Sequence, residues 1–234
     1  MTPAAEPQPA PGAVLADYDV VAFDCDGVLL DSNRFKIDLF VEVLRAEGIS
    51  EPVVAAFSAF QSTNFGTSRY RLFEFLEAGR FGDAGGVTAA HMLAAFGEAC
   101  FAGYLATAEA PGLRDALVRA GGDGRSLYVV SGSDEAELRR VLEARGLASA
   151  FAQVLGSPAN KTQNLTMIRE RETARLGRAP RILFVGDAFA DLAGADDVGA
   201  DFLFAAAMST VRPALEARIR QRGLPMIEDL RELV

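Results

Sequence analysis

The sequence has 234 residues, of which 50% are hydrophobic and 24% are charged, enough to bury a core as one large domain or a domain with a smaller insert. A formal net charge of −9 and the lack of a Lys/Arg block argue against nucleic-acid and anionic-membrane surfaces. Two cysteines without a CxxC pair indicate neither a disulfide framework nor a zinc site, so a reduced, cytoplasmic compartment is expected.

The first 17 residues predict a disordered leader. They are rich in Pro and Ala and lack the basic and apolar stretches of a signal peptide. No apolar run approaches the ~20 residues that a membrane span needs, so no membrane association is expected.

Short apolar runs then predict five strands, at residues 19–23, 126–130, 151–155, 181–185 and 201–205. Helical segments accompany the last four, and this alternation is typical of a parallel, doubly wound sheet. One of these helices is predicted to begin with a capping box formed by Asp134 and Glu137 and to stop at Gly146.

The region between the first two strands has helical periodicity and no strand alternation. Two of its helical stripes end at Gly48 and Gly79, and a third runs from about Thr88 to Tyr104. These patterns predict an all-helical segment, residues 33–109, called the helical insert below. The sheet domain would then comprise residues 18–32 and 110–234, with Pro111-Gly112 marking the return to it.

Polar residues follow four of the predicted strands: Asp24 and Asp26, Ser131-Gly132-Ser133, Lys161, and Asp187 with Asp191. In open α/β sheets, ligands bind at the carboxyl ends of the strands. Crowded carboxylates need a cation, and an oxygen-rich set without histidine suits Mg²⁺. The hydroxyl and amide groups of the second strand end precede a predicted helix, where an anion is favoured, and the lysine adds positive charge. The pattern therefore predicts a site for a metal and a phosphate group.

The same residues resemble the motifs of the haloacid dehalogenase superfamily. DCDGVLLDS matches the first motif of its phosphatases, SGS the second, the lysine of GSPANK the third, and GDAFAD the fourth. Their order and the position of the helical insert also agree with the phosphoglycolate phosphatase and β-phosphoglucomutase subgroup. The resemblance implies an α/β fold, a Rossmann-like doubly wound parallel sheet core, with the helical insert as an α-helical cap domain.

This resemblance implies roles for the two aspartates of the first motif. Asp24 would be the nucleophile that forms an aspartyl-phosphate, kept ionised by an ordinary pKa near 4. Asp26 would protonate the leaving alcohol and then activate water, a role that requires a raised pKa, which neighbouring carboxylates would favour.

It also implies the partners of the metal and the phosphoryl group. Asp187, the side chain of Asp24 and the backbone carbonyl of Asp26 would hold Mg²⁺, with Asp191 as a possible further metal ligand. Ser131 and Lys161 would hold the phosphoryl oxygens, alongside the amide of Gly132 inferred above.

The implied substrate is a small phosphorylated metabolite, such as a sugar or polyol phosphate. Arg69 falls where residues of such cap domains often meet the substrate, whereas Asn33, Arg34 and Phe35 depart from many relatives. A phosphomutase shares every motif and stays open, as does a non-catalytic protein that binds a ligand or partner. No pattern indicates the oligomeric state.

Overall fold

The computed structural model of the chain describes residues 15–64 and 67–233. Its strands are β1 (Val20–Phe23), β2 (Ser126–Asp134), β3 (Gln153–Ser157), β4 (Ile182–Gly186), β5 (Asp201–Ala205) and β6 (Met226–Ile227). They form one sheet in the order β3-β2-β1-β4-β5-β6, with every neighbouring pair parallel. This is the order of dinucleotide-binding α/β folds, so the predicted fold class is confirmed.

Each of the five predicted strands overlaps an observed one, because buried parallel strands have nearly continuous apolar sequences. The central strand β1 is buried throughout. Its Phe23 is level with Val129 of β2 and Val185 of β4. The two-residue strand β6 was not predicted.

Helices cover the sheet and form the helical insert. They are α1 (Asn33–Ala46), α2 (Glu51–Thr63), α3 (Arg69–Glu77), α4 (Ala89–Ala106), α5 (Leu113–Ala120), α6 (Glu135–Ala144), α7 (Lys161–Leu176), α8 (Phe189–Val198) and α9 (Arg212–Arg222). Residues of α5 and α6 share an apolar cluster with one face of the sheet, and residues of α7, α8 and α9 share one with the other face.

The helical insert contains α1 to α4, of which α2 was not predicted. Its two ends run side by side, since the amide of Asp31 donates to the carbonyl of Ala108 (3.0 Å) and that of Ala110 to the carbonyl of Leu29 (2.9 Å). The insert therefore leaves the sheet domain and returns to it at one place, next to the end of β1. The division into two domains at these boundaries stays a prediction.

The predicted leader falls mostly on residues 1–14, which lie outside the described residues. Its last three residues, Leu15–Asp17, form a 3-10 turn in which Leu15 is buried. Within the described ranges, no helix is both long enough and apolar enough to cross a bilayer.

Candidate active site

The carboxyl ends of the strands place three carboxylates together. Asp24 follows β1 directly, Asp187 follows β4 directly, and Asp191 lies in the first turn of α8. All three residues are buried, and one carboxylate oxygen of each lies within 4.8 Å of the others. These residues are called the carboxylate cluster below. The sheet topology thus unites residues from the first and fourth sequence motifs.

Lys161, the first residue of α7, supplies positive charge to the carboxylate cluster. Its Nζ lies 2.9 Å from Oδ2 of Asp24 and also pairs with Oδ1 of Asp191. When all three carboxylates carry their charge, one ammonium group leaves two negative charges uncompensated. A divalent cation would neutralise them, and the all-oxygen donor set is of the kind that Mg²⁺ prefers. The residues therefore fit the predicted metal.

The uncompensated charge also changes how the carboxylates titrate. Burial and the nearby charge of Asp191 together raise the pKa of Asp24 to about 7, although Lys161 opposes the change. Burial, with the charges of Asp191 and Asp24, raises the pKa of Asp187 well above its usual range. The expectation that Asp24 keeps an ordinary pKa was therefore wrong, because crowding and desolvation disfavour the charged form.

Asp191 is engaged in positioning its neighbours. Its Oδ2 accepts hydrogen bonds from the backbone amides of Asp187 (3.1 Å) and Ala188 (2.9 Å), while its Oδ1 pairs with Lys161. These bonds fix the start of α8 and the lysine beside Asp24. Direct metal ligation by Asp191 stays a prediction.

Two neighbours fix Asp187 from the side of β1. The Nδ2 of Asn33 donates to Oδ2 of Asp187 at 2.7 Å. Gly27, with φ +79°, leaves room for both groups, since a Cβ there would lie 2.2 Å from Nδ2 of Asn33 and 2.3 Å from Oδ2 of Asp187. The glycine is needed for its positive φ and for the close approach of this carboxylate.

The Asp26 carboxylate has a separate environment from the carboxylate cluster. Its Oδ1 accepts hydrogen bonds from Ser32 Oγ (2.5 Å) and Tyr104 Oη (2.7 Å), and its Oδ2 accepts them from Lys36 Nζ (2.7 Å) and Ser133 Oγ (2.7 Å). Burial alone would raise the pKa of Asp26, but the charge of Lys36 and these hydroxyl groups outweigh it and lower the pKa. The predicted upward shift was wrong, because a lysine of the helical insert pairs with the carboxylate at 2.7 Å and its charge lowers the pKa.

The predicted phosphate-binding residues Ser131 and Gly132 lie in the last part of β2, shortly before α6. Ser131 is buried, and its Oγ accepts a hydrogen bond from the amide of Ser133 at 3.1 Å. Gly132 is exposed, and its carbonyl accepts a hydrogen bond from Ser157 Oγ at 2.7 Å. Their contact with a phosphoryl group stays a prediction.

Arg69, the predicted substrate contact, has a protein partner, and its contact with a substrate stays a prediction. Its guanidinium donates two hydrogen bonds to the Glu137 carboxylate, at 2.9 and 2.7 Å, and both side chains are buried. This pair also corrects the predicted capping box: Asp134 does accept a hydrogen bond from the amide of Glu137 (2.8 Å), but the Glu137 carboxylate binds Arg69. These contacts favour a structural role for Arg69.

A cavity of about 340 Å³ lies between the helical insert and the sheet domain. Its wall includes Arg69 and Tyr70 of α3, Gly97 of α4, and Glu137 and Arg140 of α6. The cavity therefore lies beside the Arg69–Glu137 pair, and its lining residues do not include the carboxylate cluster.

Sequence reasoning missed the contribution of Lys36 and Tyr104 to the surroundings of Asp26. One signal was available for Lys36, which stands one helical turn after Ser32, so both side chains can face the end of β1. Tyr104 offered no such signal, because 78 residues separate it from Asp26.

Comparison with known proteins adds independent findings. A family model described as a haloacid dehalogenase-like hydrolase matches residues 18–199. A search of curated proteins found no match.

Among solved structures, CbbY from Rhodobacter sphaeroides in complex with phosphate is 17% identical, with 92% of this chain and 96% of that chain covered and a TM-score of 0.69. A predicted phosphoglycolate phosphatase from Haemophilus somnus is 18% identical, with coverages of 92% and 95% and a TM-score of 0.64. At these identities the likeness shows a shared fold.

Proposed function

Since the chain belongs to the haloacid dehalogenase-like hydrolase family, we propose that it is a Mg²⁺-dependent phosphatase of small phosphorylated metabolites. The observation that carries the proposal is the buried carboxylate cluster with Lys161 at the carboxyl ends of the strands. A cation would balance the negative charge of the carboxylate cluster, and the cluster lies where α/β folds bind ligands.

In the proposed reaction, Asp24 attacks the phosphorus atom and forms an aspartyl-phosphate. Its Oδ1 accepts a hydrogen bond from the amide of Cys25 (2.8 Å) and its Oδ2 pairs with Lys161, so both oxygens are held in place. Lys161, with Ser131 and Gly132, would stabilise the phosphoryl oxygens, because positioning and electrostatics dominate phosphoryl transfer.

In this reaction, the Asp26 carboxyl group is the general acid and then the general base. Because the pKa of Asp26 is lowered in this structure, the carboxylate first takes up a proton, which it then gives to the leaving alcohol as the bond between phosphorus and that oxygen breaks. It then takes a proton from the water that attacks the aspartyl-phosphate. This exchange restores both aspartates, so that one phosphomonoester and one water become an alcohol and inorganic phosphate.

The metal would be held by Asp24, Asp187 and the backbone carbonyl of Asp26, with Asp191 as a possible further ligand. When bound, Mg²⁺ supplies charge stabilisation for the phosphoryl group and the aspartates. Removing one carboxylate from this set should weaken Mg²⁺ binding, which calorimetry measures independently of activity.

We propose sugar or polyol phosphates as the substrate class and the cytoplasm as the location. The Rhodobacter sphaeroides protein has been crystallised, as a variant, with xylulose-(1,5)bisphosphate, which supports a phosphorylated sugar in this fold. A phosphomutase is the alternative within the family, and a non-catalytic binding protein is the alternative outside it.

The test is Mg²⁺-dependent release of phosphate from p-nitrophenyl phosphate. Asp24→Asn should abolish release, whereas Asp115→Asn, the same change at an exposed position of α5, should leave it unchanged. An active Asp24→Asn protein would refute the mechanism, and an inactive wild-type protein that binds Mg²⁺ would favour the non-catalytic alternative.

A panel of hexose, glycolate and polyol phosphates then separates phosphatase from mutase. Release of inorganic phosphate supports the proposal. Conversion of a hexose phosphate to its isomer without release supports the mutase.

A further inference from the structure

Side chains from two parts of the chain surround the Asp26 carboxylate. Ser32 lies in the segment that follows β1, and Ser133 lies in β2. Lys36 and Tyr104 belong to α1 and α4 of the helical insert. Each of the two carboxylate oxygens accepts one hydrogen bond from a serine of the sheet domain and one from a side chain of the helical insert. The orientation of this carboxylate thus depends on residues outside the sheet domain.

We propose that Lys36 and Tyr104 are positioning residues that aim the Asp26 carboxylate for proton transfer. The inference rests on the proposed function, in which Asp26 is the acid and base. It assigns the helical insert a part in the chemistry in addition to covering the site.

The contacts of the Tyr104 side chain hold it in one position. Its side chain is fully buried, and its hydroxyl group contacts Oδ1 of Asp26 at 2.7 Å and Oγ of Ser133 at 3.0 Å. Phe35 packs edge-on against its ring at 5.4 Å, and Arg145 donates a hydrogen bond to its carbonyl at 2.8 Å. A phenol fixed in this way restricts the rotation of the carboxylate it binds.

Lys36 is held against the same carboxylate. Its Nζ lies 2.7 Å from Oδ2 of Asp26, also contacts Ser133 Oγ, and lies 5.4 Å from the centroid of the Tyr104 ring. Buried ion pairs contribute little net stability, because desolvation offsets the attraction. For this partly buried pair, with the Lys36 side chain 18% exposed, a role in orienting the proposed catalytic carboxylate is therefore a better explanation than a role in stability.

The proposal predicts a dependence on the leaving group. In the first step the bond from Asp24 to phosphorus forms, the bond from phosphorus to the alcohol oxygen breaks, and the proton moves from Asp26 to that oxygen. An oxygen that leaves readily as an anion needs this proton little. A misplaced Asp26 should therefore impair esters of weakly acidic alcohols more than esters of acidic ones.

The experiment compares phenyl phosphate with p-nitrophenyl phosphate, two esters of similar shape whose leaving groups differ in acidity. Tyr104→Phe and Lys36→Met should each lower kcat/KM for phenyl phosphate about 10- to 100-fold more than for p-nitrophenyl phosphate, part of the ~10²–10⁴-fold contribution of general acid–base catalysis. Lys36→Arg, which keeps the charge, should show a smaller effect than Lys36→Met.

Tyr128→Phe is the matched control. This buried tyrosine lies on the face of the sheet covered by α7, α8 and α9, and its hydroxyl group donates a hydrogen bond to Glu172. Loss of that hydroxyl group should leave the ratio of the two kcat/KM values unchanged. Circular dichroism checks that each variant is folded, and Tyr104→Phe keeps the ring even where Lys36→Met fails to fold.

An active wild-type protein whose folded Tyr104→Phe variant keeps the wild-type ratio would overturn this inference alone. A wild-type protein that releases phosphate from neither ester would overturn the proposed function and this inference with it.

Discussion

The buried pair between Arg69 and Glu137 gives the sharpest test of how the helical insert is attached. In Arg69→Met, the Glu137 carboxylate, with its side chain 7% exposed, loses both of its hydrogen bonds to the guanidinium. Removing one partner of a buried ion pair costs ~3–5 kcal/mol, because an uncompensated charge remains. For a chain of this size, that cost corresponds to a decrease in Tm of roughly 6 to 20 °C.

Thermal unfolding followed by circular dichroism measures the decrease, since the chain contains no tryptophan for fluorescence. Arg71→Met is the matched control on the same helix, because Arg71 pairs with Glu74 at 3.0 Å on the exposed surface. Exposed pairs contribute only ~0–1 kcal/mol. The double variant Arg69→Met/Glu137→Gln should recover much of the lost stability, since it removes both charges.

The opposite pattern would refute this reasoning. If Arg69→Met melts at the same temperature as Arg71→Met and mainly raises KM, then Arg69 contacts the substrate, as the sequence first suggested.

Three further outcomes are expected. Gly27→Ala should cost roughly 1–2 kcal/mol from its positive φ alone, and it should weaken Mg²⁺ binding measured by calorimetry, because the new Cβ meets Asp187 at 2.3 Å. Mg²⁺ at a hundred times its Kd should stabilise the wild-type protein by about 2.7 kcal/mol, and Asp187→Asn should lose this gain in a thermal melt; an equal gain in both proteins would argue against the site. Burial alone would raise the pKa of Glu172, but hydrogen bonds from Tyr128 and an arginine outweigh it and lower the pKa. The stability from Glu172 is therefore present above the unfolded pKa of about 4.3 and lost as the pH falls through the folded pKa, so denaturation curves of Glu172→Gln should show a smaller loss in that range.

The sequence allowed the sheet to be predicted because its strands are short, apolar and regularly spaced. The helix α2 was missed although Val53, Val54 and Phe57 are buried and follow helical spacing, and its Glu51-Pro52 start is also typical of a helix. The strand β6 has only two residues, too few for any periodic pattern. The local signal for α2 was therefore present but overlooked, whereas β6 had no local signal.

The candidate site was predictable where its residues follow strands, and less so where distant side chains meet. Asp24, Asp187 and Asp191 could be placed together from topology alone. The partner of Glu137 could not, because Arg69 lies 68 residues away and competes with a local capping bond. The pKa of Asp26 is lowered mainly by Lys36, ten residues away, so the sign of its shift was missed although the spacing of Lys36 from Ser32 was a signal for it.

The central position of β1 has a consequence for synthesis of the chain. Val20 pairs with Ser126 on one side and with Ile182 on the other, so the strand that precedes Asp24 is made first and gains its second neighbour late. At ~5–20 residues per second, the ribosome needs roughly 8 to 32 s to reach Ile182 after Val20. Throughout that interval a fully apolar strand lacks part of its sheet, and the nascent chain must be kept from associating with others before the enzyme can exist.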